Sequence, residues 1–215
     1  MADPLRIDIV SDVVCPWCVI GYRQLEQAVA AEGVDVEIHW HPFELNPNMP
    51  AEGQNLREHL AEKYGSTDVD SAEVRARLTA LGAELGFDFR YSDDMRMRNT
   101  FRAHQLIHWA EEFGKDHDLK QALFMAYFTK SRDVNDASVL ADIAGSVGLD
   151  QEDALSVIAE DRFAAEVRGL ENFWISKGIR GVPAMIFDSR HLVTGARGVE
   201  AYRQVIRQVA AETAA

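Results

Sequence analysis

The feature that most constrains this chain is Cys15-Pro16-Trp17-Cys18. These are the only two cysteines in 215 residues, and they form a single C-x-x-C. The run Leu5-Arg6-Ile7-Asp8-Ile9-Val10 before it alternates well enough to read as a strand. Residues 19–31 after it read as a helix, with Ile20, Leu25, Ala28 and Val29 on one side and Gly33 just past the end. The motif is therefore expected where a strand passes into a helix N-terminus. Unpaired backbone N–H groups there carry a partial positive charge and stabilise a thiolate. The thiolate is the form that attacks disulfides, so Cys15 is the candidate nucleophile. Pro16 fits the first helical turn, where its missing N–H costs nothing.

A length of 215 residues allows one large or two small domains. The net charge of −13 argues against a nucleic-acid or anionic-membrane partner. No apolar run approaches the ~20 residues of a membrane span. The start, Met1-Ala2-Asp3-Pro4-Leu5-Arg6, lacks a basic segment followed by an apolar one. These readings predict a cytoplasmic protein. In a reducing cytosol a lone C-x-x-C is a poor structural staple and points to redox or metal chemistry. Zinc needs four ligands. His39 and His41 share one strand face and could complete a Cys2His2 set, although their spacing from the cysteines is not that of a finger. His104 and His108 share a helix face with Glu111 and Glu112 one turn on, a second metal-compatible pattern whose bland reading is a solvated polar face. No metal ligand is assigned. In the redox reading Cys15 attacks and Cys18, one turn on, resolves the mixed disulfide.

Residues 34–43 alternate and read as a second strand, followed by a proline- and asparagine-punctuated loop over 44–50. Helices are expected over 55–64, 71–85, 99–113, 119–130, 136–147, 150–159 and 162–177, with Asp136 and Asp150 as N-caps. Residues 87–90 read as a short extended piece. Strand character returns over 183–187 and, after the turn Asp188-Ser189, over 190–194, with a closing helix over 199–211. Removing the helical block leaves β-α-β plus β-β-α, the thioredoxin layout. The expected fold class is α/β, a thioredoxin-like domain interrupted by an all-helical insertion. The discontinuous domain comprises 1–46 and 178–215, and the insert 47–177. The alternative is one undivided α+β domain. Trp40, Phe43 and Phe101 are expected in the core. Trp17 must be partly exposed if the thiols are to be reached, which suggests a hydrophobic docking surface. Gly181-Val182-Pro183 precedes a strand, and its proline reads as an edge device or as a cis-proline turn.

Four stretches together resemble DsbA-like thioredoxin-fold oxidoreductases of the FrnE type, relatives of the 2-hydroxychromene-2-carboxylate isomerases and kappa-class glutathione transferases. They are Ser11-Asp12-Val13-Val14-Cys15-Pro16-Trp17-Cys18, His41-Pro42-Phe43-Glu44-Leu45-Asn46-Pro47, Asn99-Thr100 with Ala103-His104, and Gly181-Val182-Pro183. The resemblance implies a thiol-disulfide oxidoreductase acting on protein or small-molecule disulfides, with no required cofactor and with glutathione open as reductant or co-substrate. It implies a cis Val182-Pro183 turn beside the C-x-x-C, with Cys15, Cys18 and Pro183 catalytic. Val182 would present its backbone to an extended substrate, Trp17 would line the site, and Asn99 would face the cleft. The bland role of Asn99 is a helix N-cap. The isomerases and kappa transferases usually carry serine where Cys15 stands, so the cysteine favours disulfide exchange. Two alternatives stay open: a glutathione-dependent isomerase or transferase, and a non-redox binding protein using the cleft beside the insert. A homodimer is compatible with the sequence.

Overall fold

The computed structural model describes residues 4–213. Strand β1 (Leu5–Ser11) forms the middle of a sheet with β2 (Val36–Pro42) parallel on one side and β5 (Ala184–Phe187) antiparallel on the other. Strand β6 (His191–Thr194) completes the order β2-β1-β5-β6 as an antiparallel hairpin with β5. Alternation along β1 explains why the sheet is covered on both faces. Ile7 and Ile9 pack with Met185 and Phe187 against α1 (Pro16–Glu32) and α9 (Val199–Thr213). Val10, Ala184 and Ile186 face the other way, under Ile179 and Trp174.

Between the two sheet-forming segments the chain is mostly helical: α2 (Leu56–Tyr64), α3 (Asp68–Glu84), α4 (Phe101–Ala110), α5 (Asp116–Phe124), α6 (Ala137–Ser146), α7 (Gln151–Ala159) and α8 (Ala164–Ser176). Local chemistry sets most boundaries. Asn55, Asp136 and Asp150 accept first-turn N–H groups at the starts of α2, α6 and α7. Helix α3 starts three residues earlier than its apolar pattern suggests, because Thr67 and Asp70 close a capping box. Three further expectations are corrected. Residues 87–90 form no strand; Phe87 and Phe89 instead pack their rings on Phe128. The segment does contain a short antiparallel ribbon, β3 (Gln54–Asn55) with β4 (Arg96–Met97), too brief to leave a periodic signal. Helix α5 loosens after Phe124 into a π-helical turn, Met125–Thr129. The buried core runs without a break from Ile9 and Leu25 through Trp40 to Leu123, Leu140 and Val157. Trp40 is in it as expected, whereas Phe43 and Phe101 are only half-buried.

Candidate active site

Cys15 is the N-cap residue of α1, with Pro16 in the first turn. No side chain caps this end, so its partial positive charge is left for the Cys15 sulfur. The opposite wall is the loop before β5. The Val182-Pro183 peptide bond is cis, and the Cys15 thiol donates to the Val182 carbonyl at 3.7 Å. That loop is pinned by the Gly195 N–H on the Pro183 carbonyl (2.7 Å) and by the Tyr202 hydroxyl on the Gly195 carbonyl (3.0 Å). Gly21, one turn beyond Cys18, lets α1 approach the loop. A Cβ at this position would lie 3.0 Å from Pro183 Cγ.

Cys15 and Cys18 are free thiols, exposed by only 3% and 1%. Burial pushes the Cys18 thiol well above its usual range, and the neighbouring Cys15 adds to this. The Asp12 backbone N–H and the Lys120 ammonium pull the other way. Cys15 lies one contact away from an open groove of about 600 Å³, whose lining includes Trp17, Val182, Pro183, Arg180 and Arg197. Trp17 is half-buried, with the Arg77 guanidinium 5.9 Å from its ring centre. The sequence thus brings Cys15, Trp17, Cys18, Val182 and Pro183 to one place. Asn99 holds the start of α4: its amide donates to the Met49 carbonyl (3.1 Å) and its oxygen accepts the Phe101 N–H (3.0 Å).

Behind the thiols lies a buried charged layer of Asp12, His104 and Lys120. Asp12 accepts the Leu45 N–H at 2.7 Å and faces the His104 ring at 3.4 Å. Burial alone would raise its carboxyl, but His104, Leu45 and Lys120 outweigh that and hold it below the usual range. Lys120 is 1% exposed, with its ammonium 5.3 Å from the Trp40 ring centre and 5.2 Å from that of Phe124. Burial pushes its pKa down to about 8, against the pull of Cys18, Asp12 and Cys15. The solvated-face reading of His104 is corrected: the ring is buried. His108 instead reaches Glu111 at 3.4 Å, and His41 is held by Asp8 at 2.8 Å across the β1–β2 pair. His39 lies by Glu37 at 3.2 Å. The Tyr91 hydroxyl is buried without a hydrogen-bond partner among the described residues, and its ionisation is suppressed first by burial and then by the charge of Cys15.

Next to this layer, Glu44 and Glu171 share the Arg168 guanidinium, which also lies 3.8 Å from the Phe101 ring centre. Burial and the Glu171 charge push Glu44 up to about 7. A carboxyl raised in the folded state contributes stability that is full below about pH 4.5 and is lost as pH rises through about 7. Glu44→Gln removes that loss. It should be nearly neutral at pH 4.5 and stabilising by about 1–3 kcal/mol at pH 8. Urea melts of both proteins at the two pH values check this. A Glu44→Gln penalty that grows with pH contradicts it.

The sequence profile of DSBA-like thioredoxin domains matches residues 6–207. A probable DsbA oxidoreductase from Streptomyces coelicolor is 33% identical, and the match covers 97% of this chain and 91% of that one with a TM-score of 0.90. The uncharacterized protein YwbO of Bacillus subtilis (strain 168) is 26% identical over 204 residues, 94% of this chain and 96% of its own. The cytosolic disulfide reductase DsbM of Pseudomonas aeruginosa, solved with glutathione, shares the fold. It has a TM-score of 0.64 and 15% identity, over 95% of this chain and 98% of that one.

Proposed function

Because this chain belongs to the family of DSBA-like thioredoxin domains, we propose that it is a thiol-disulfide oxidoreductase working through Cys15 and Cys18. The observation that carries this reading is the placement of Cys15: at the uncapped positive end of α1, against the Val182 carbonyl, with a second thiol one turn deeper. The Cys15 thiolate attacks one sulfur of a substrate disulfide, and one substrate thiolate leaves. The Cys18 thiolate then attacks the Cys15 sulfur and expels the second substrate thiolate. Cys15 and Cys18 end as a disulfide, and two electrons have passed to the substrate. Run backwards, the same steps oxidise a dithiol. Among the described residues the Val182 N–H has no protein acceptor, so an extended substrate can pair with it while its sulfur reaches Cys15.

Protein and small-molecule disulfides both fit this chemistry, with glutathione as the reductant in the cytoplasm. No described helix is long and apolar enough to cross a membrane. A resolving thiol one turn behind the nucleophile is what exchange needs and what a site that only activates glutathione does not. The test is a thiol count with intact-mass measurement. Reduced protein treated with oxidised glutathione should lose both thiols together, gain no lasting adduct, and regain both thiols with dithiothreitol. Thiols that stay unreactive, or an adduct that persists on one of them, would overturn the reading.

A further inference from the structure

The arginines of this chain are not evenly partnered. Arg6 lies against Asp8, Arg98 against Asp133, and Arg203 and Arg207 against Glu32. Among the described residues Arg75, Arg77, Arg96, Arg102, Arg180 and Arg197 have no carboxylate partner; Arg96 and Arg102 are bonded to backbone carbonyls, and Arg77, Arg180 and Arg197 come together from three separate parts of the chain: α3, the loop before β5, and the loop after β6. Arg180 and Arg197 line the groove that ends at Val182 and Trp17, and Arg77 stands over the Trp17 ring. Arg197 uses its Nε on the Thr194 carbonyl (2.8 Å), which steadies the side chain and leaves its terminal nitrogens free. Among the described residues no acidic side chain lines the groove. In a chain of net charge −13, three guanidinium groups without a carboxylate partner at a groove that borders Cys15 through Val182 are a local reversal of sign.

We infer that this groove selects disulfides whose sulfur is flanked by carboxylates, with Arg180 and Arg197 binding the carboxylates and Arg77 reinforcing them across Trp17. The inference rests on the exchange chemistry proposed above and names the substrate class that chemistry acts on. The physical reason is twofold. A guanidinium presents a planar fork that fits a carboxylate with two parallel hydrogen bonds. A positive rim in a negative molecule also draws anions to the one place where they can react, raising their encounter rate. A cationic disulfide meets the opposite: repulsion at the rim and attraction to the rest of the surface.

The experiment uses three disulfides of similar size: 3,3′-dithiodipropionate (anionic), bis(2-hydroxyethyl) disulfide (neutral) and cystamine (cationic). Pre-reduced full-length protein is mixed with each in excess, and the loss of its thiols is followed by acid quench and mass measurement. In this single turnover the protein dithiol is oxidised, the disulfide is reduced to two thiols, and no further redox partner is needed. At an ionic strength of ~10 mM, where screening is weak, the anion-to-cation rate ratio should be at least about ten-fold larger in the wild type than in Arg180→Gln/Arg197→Gln. Arg77→Gln should reduce the ratio less. Added salt should shrink it, and Arg180→Lys/Arg197→Lys should restore most of it, because the charge returns without the fork. Taking ratios between proteins removes the intrinsic reactivity of each disulfide. An unchanged ratio in Arg180→Gln/Arg197→Gln overturns the inference while leaving the exchange reading in place. Failure of all three disulfides to oxidise the protein overturns both.

Discussion

Cys18→Ser should turn the protein from an exchanger into a trap. Exposed to oxidised glutathione, it should hold a mixed disulfide on Cys15 that persists until a reductant is added. Cys15→Ser should carry none. The asymmetry follows from position. Cys15 caps α1, where first-turn N–H groups favour negative charge, and its sulfur touches the loop that lines the groove. Cys18 is fully buried and its ionisation is strongly disfavoured by that burial. It becomes a competent nucleophile only against the sulfur beside it, in a reaction that is effectively unimolecular. Turnover should fall by roughly 10³-fold or more in both variants, because nucleophile and resolving group act as one unit. Mass spectra separate the two failures that a rate assay would merge. Equal adducts on the two variants would falsify the division of roles.

Much of this arrangement was legible in the sequence because it is made by neighbours. Pro16 in the first turn of α1, Gly33 at its end with a φ of 63°, and the caps Asp136 and Asp150 are each set within a few residues. The turn before β5 was only half legible: Gly181-Val182-Pro183 ahead of a strand left an edge device open, and the cis bond followed from the resemblance to the family rather than from its neighbours. What sequence reading missed is made by residues far apart. Asp12 meets Leu45 and His104, and Glu44 meets Arg168 and Glu171 more than a hundred residues later. A helical pattern reports which face is apolar, and it cannot report what lies opposite. Lys120 left the clearest unused signal. It sits four residues before Phe124 and beside Leu119, both fully buried, so it falls in the apolar sector of α5, where a lysine is out of place unless it has a purpose. The unpaired state of Arg77, Arg180 and Arg197 had no local signature, because it depends on where every carboxylate of the chain lands.

Lys120→Met should slow the second half of the exchange while sparing the first. Lys120 is the buried cation whose charge opposes the desolvation of the Cys18 thiolate, and it does the same for Asp12. Losing a neighbouring opposite charge raises the pKa of an acid. The thiolate fraction of Cys18 near neutral pH should therefore drop, and resolution of a pre-formed Cys15 mixed disulfide should slow with it. Capture by Cys15 draws on the end of α1 and should change much less. Rapid quench of each half-reaction separates the two, and equal slowing of both would count against this role. Stability carries a second signature. Lys120 is pushed from 10.5 down to about 8. A cationic group lowered in the folded state penalises folding below about pH 8, and that penalty, roughly 3 kcal/mol, is relieved as pH rises toward 10.5. The raised Cys18 thiol works against this above about pH 9, so the comparison belongs in a Cys15→Ser/Cys18→Ser background. There, stability should climb by about 2 kcal/mol between pH 7.5 and 9.5 with Lys120 present. With methionine in its place the climb should vanish, since a thioether of similar length fills the space between Trp40 and Phe124 without a charge to lose. A climb that survives the substitution would assign it to another group and remove Lys120 from beneath the thiols.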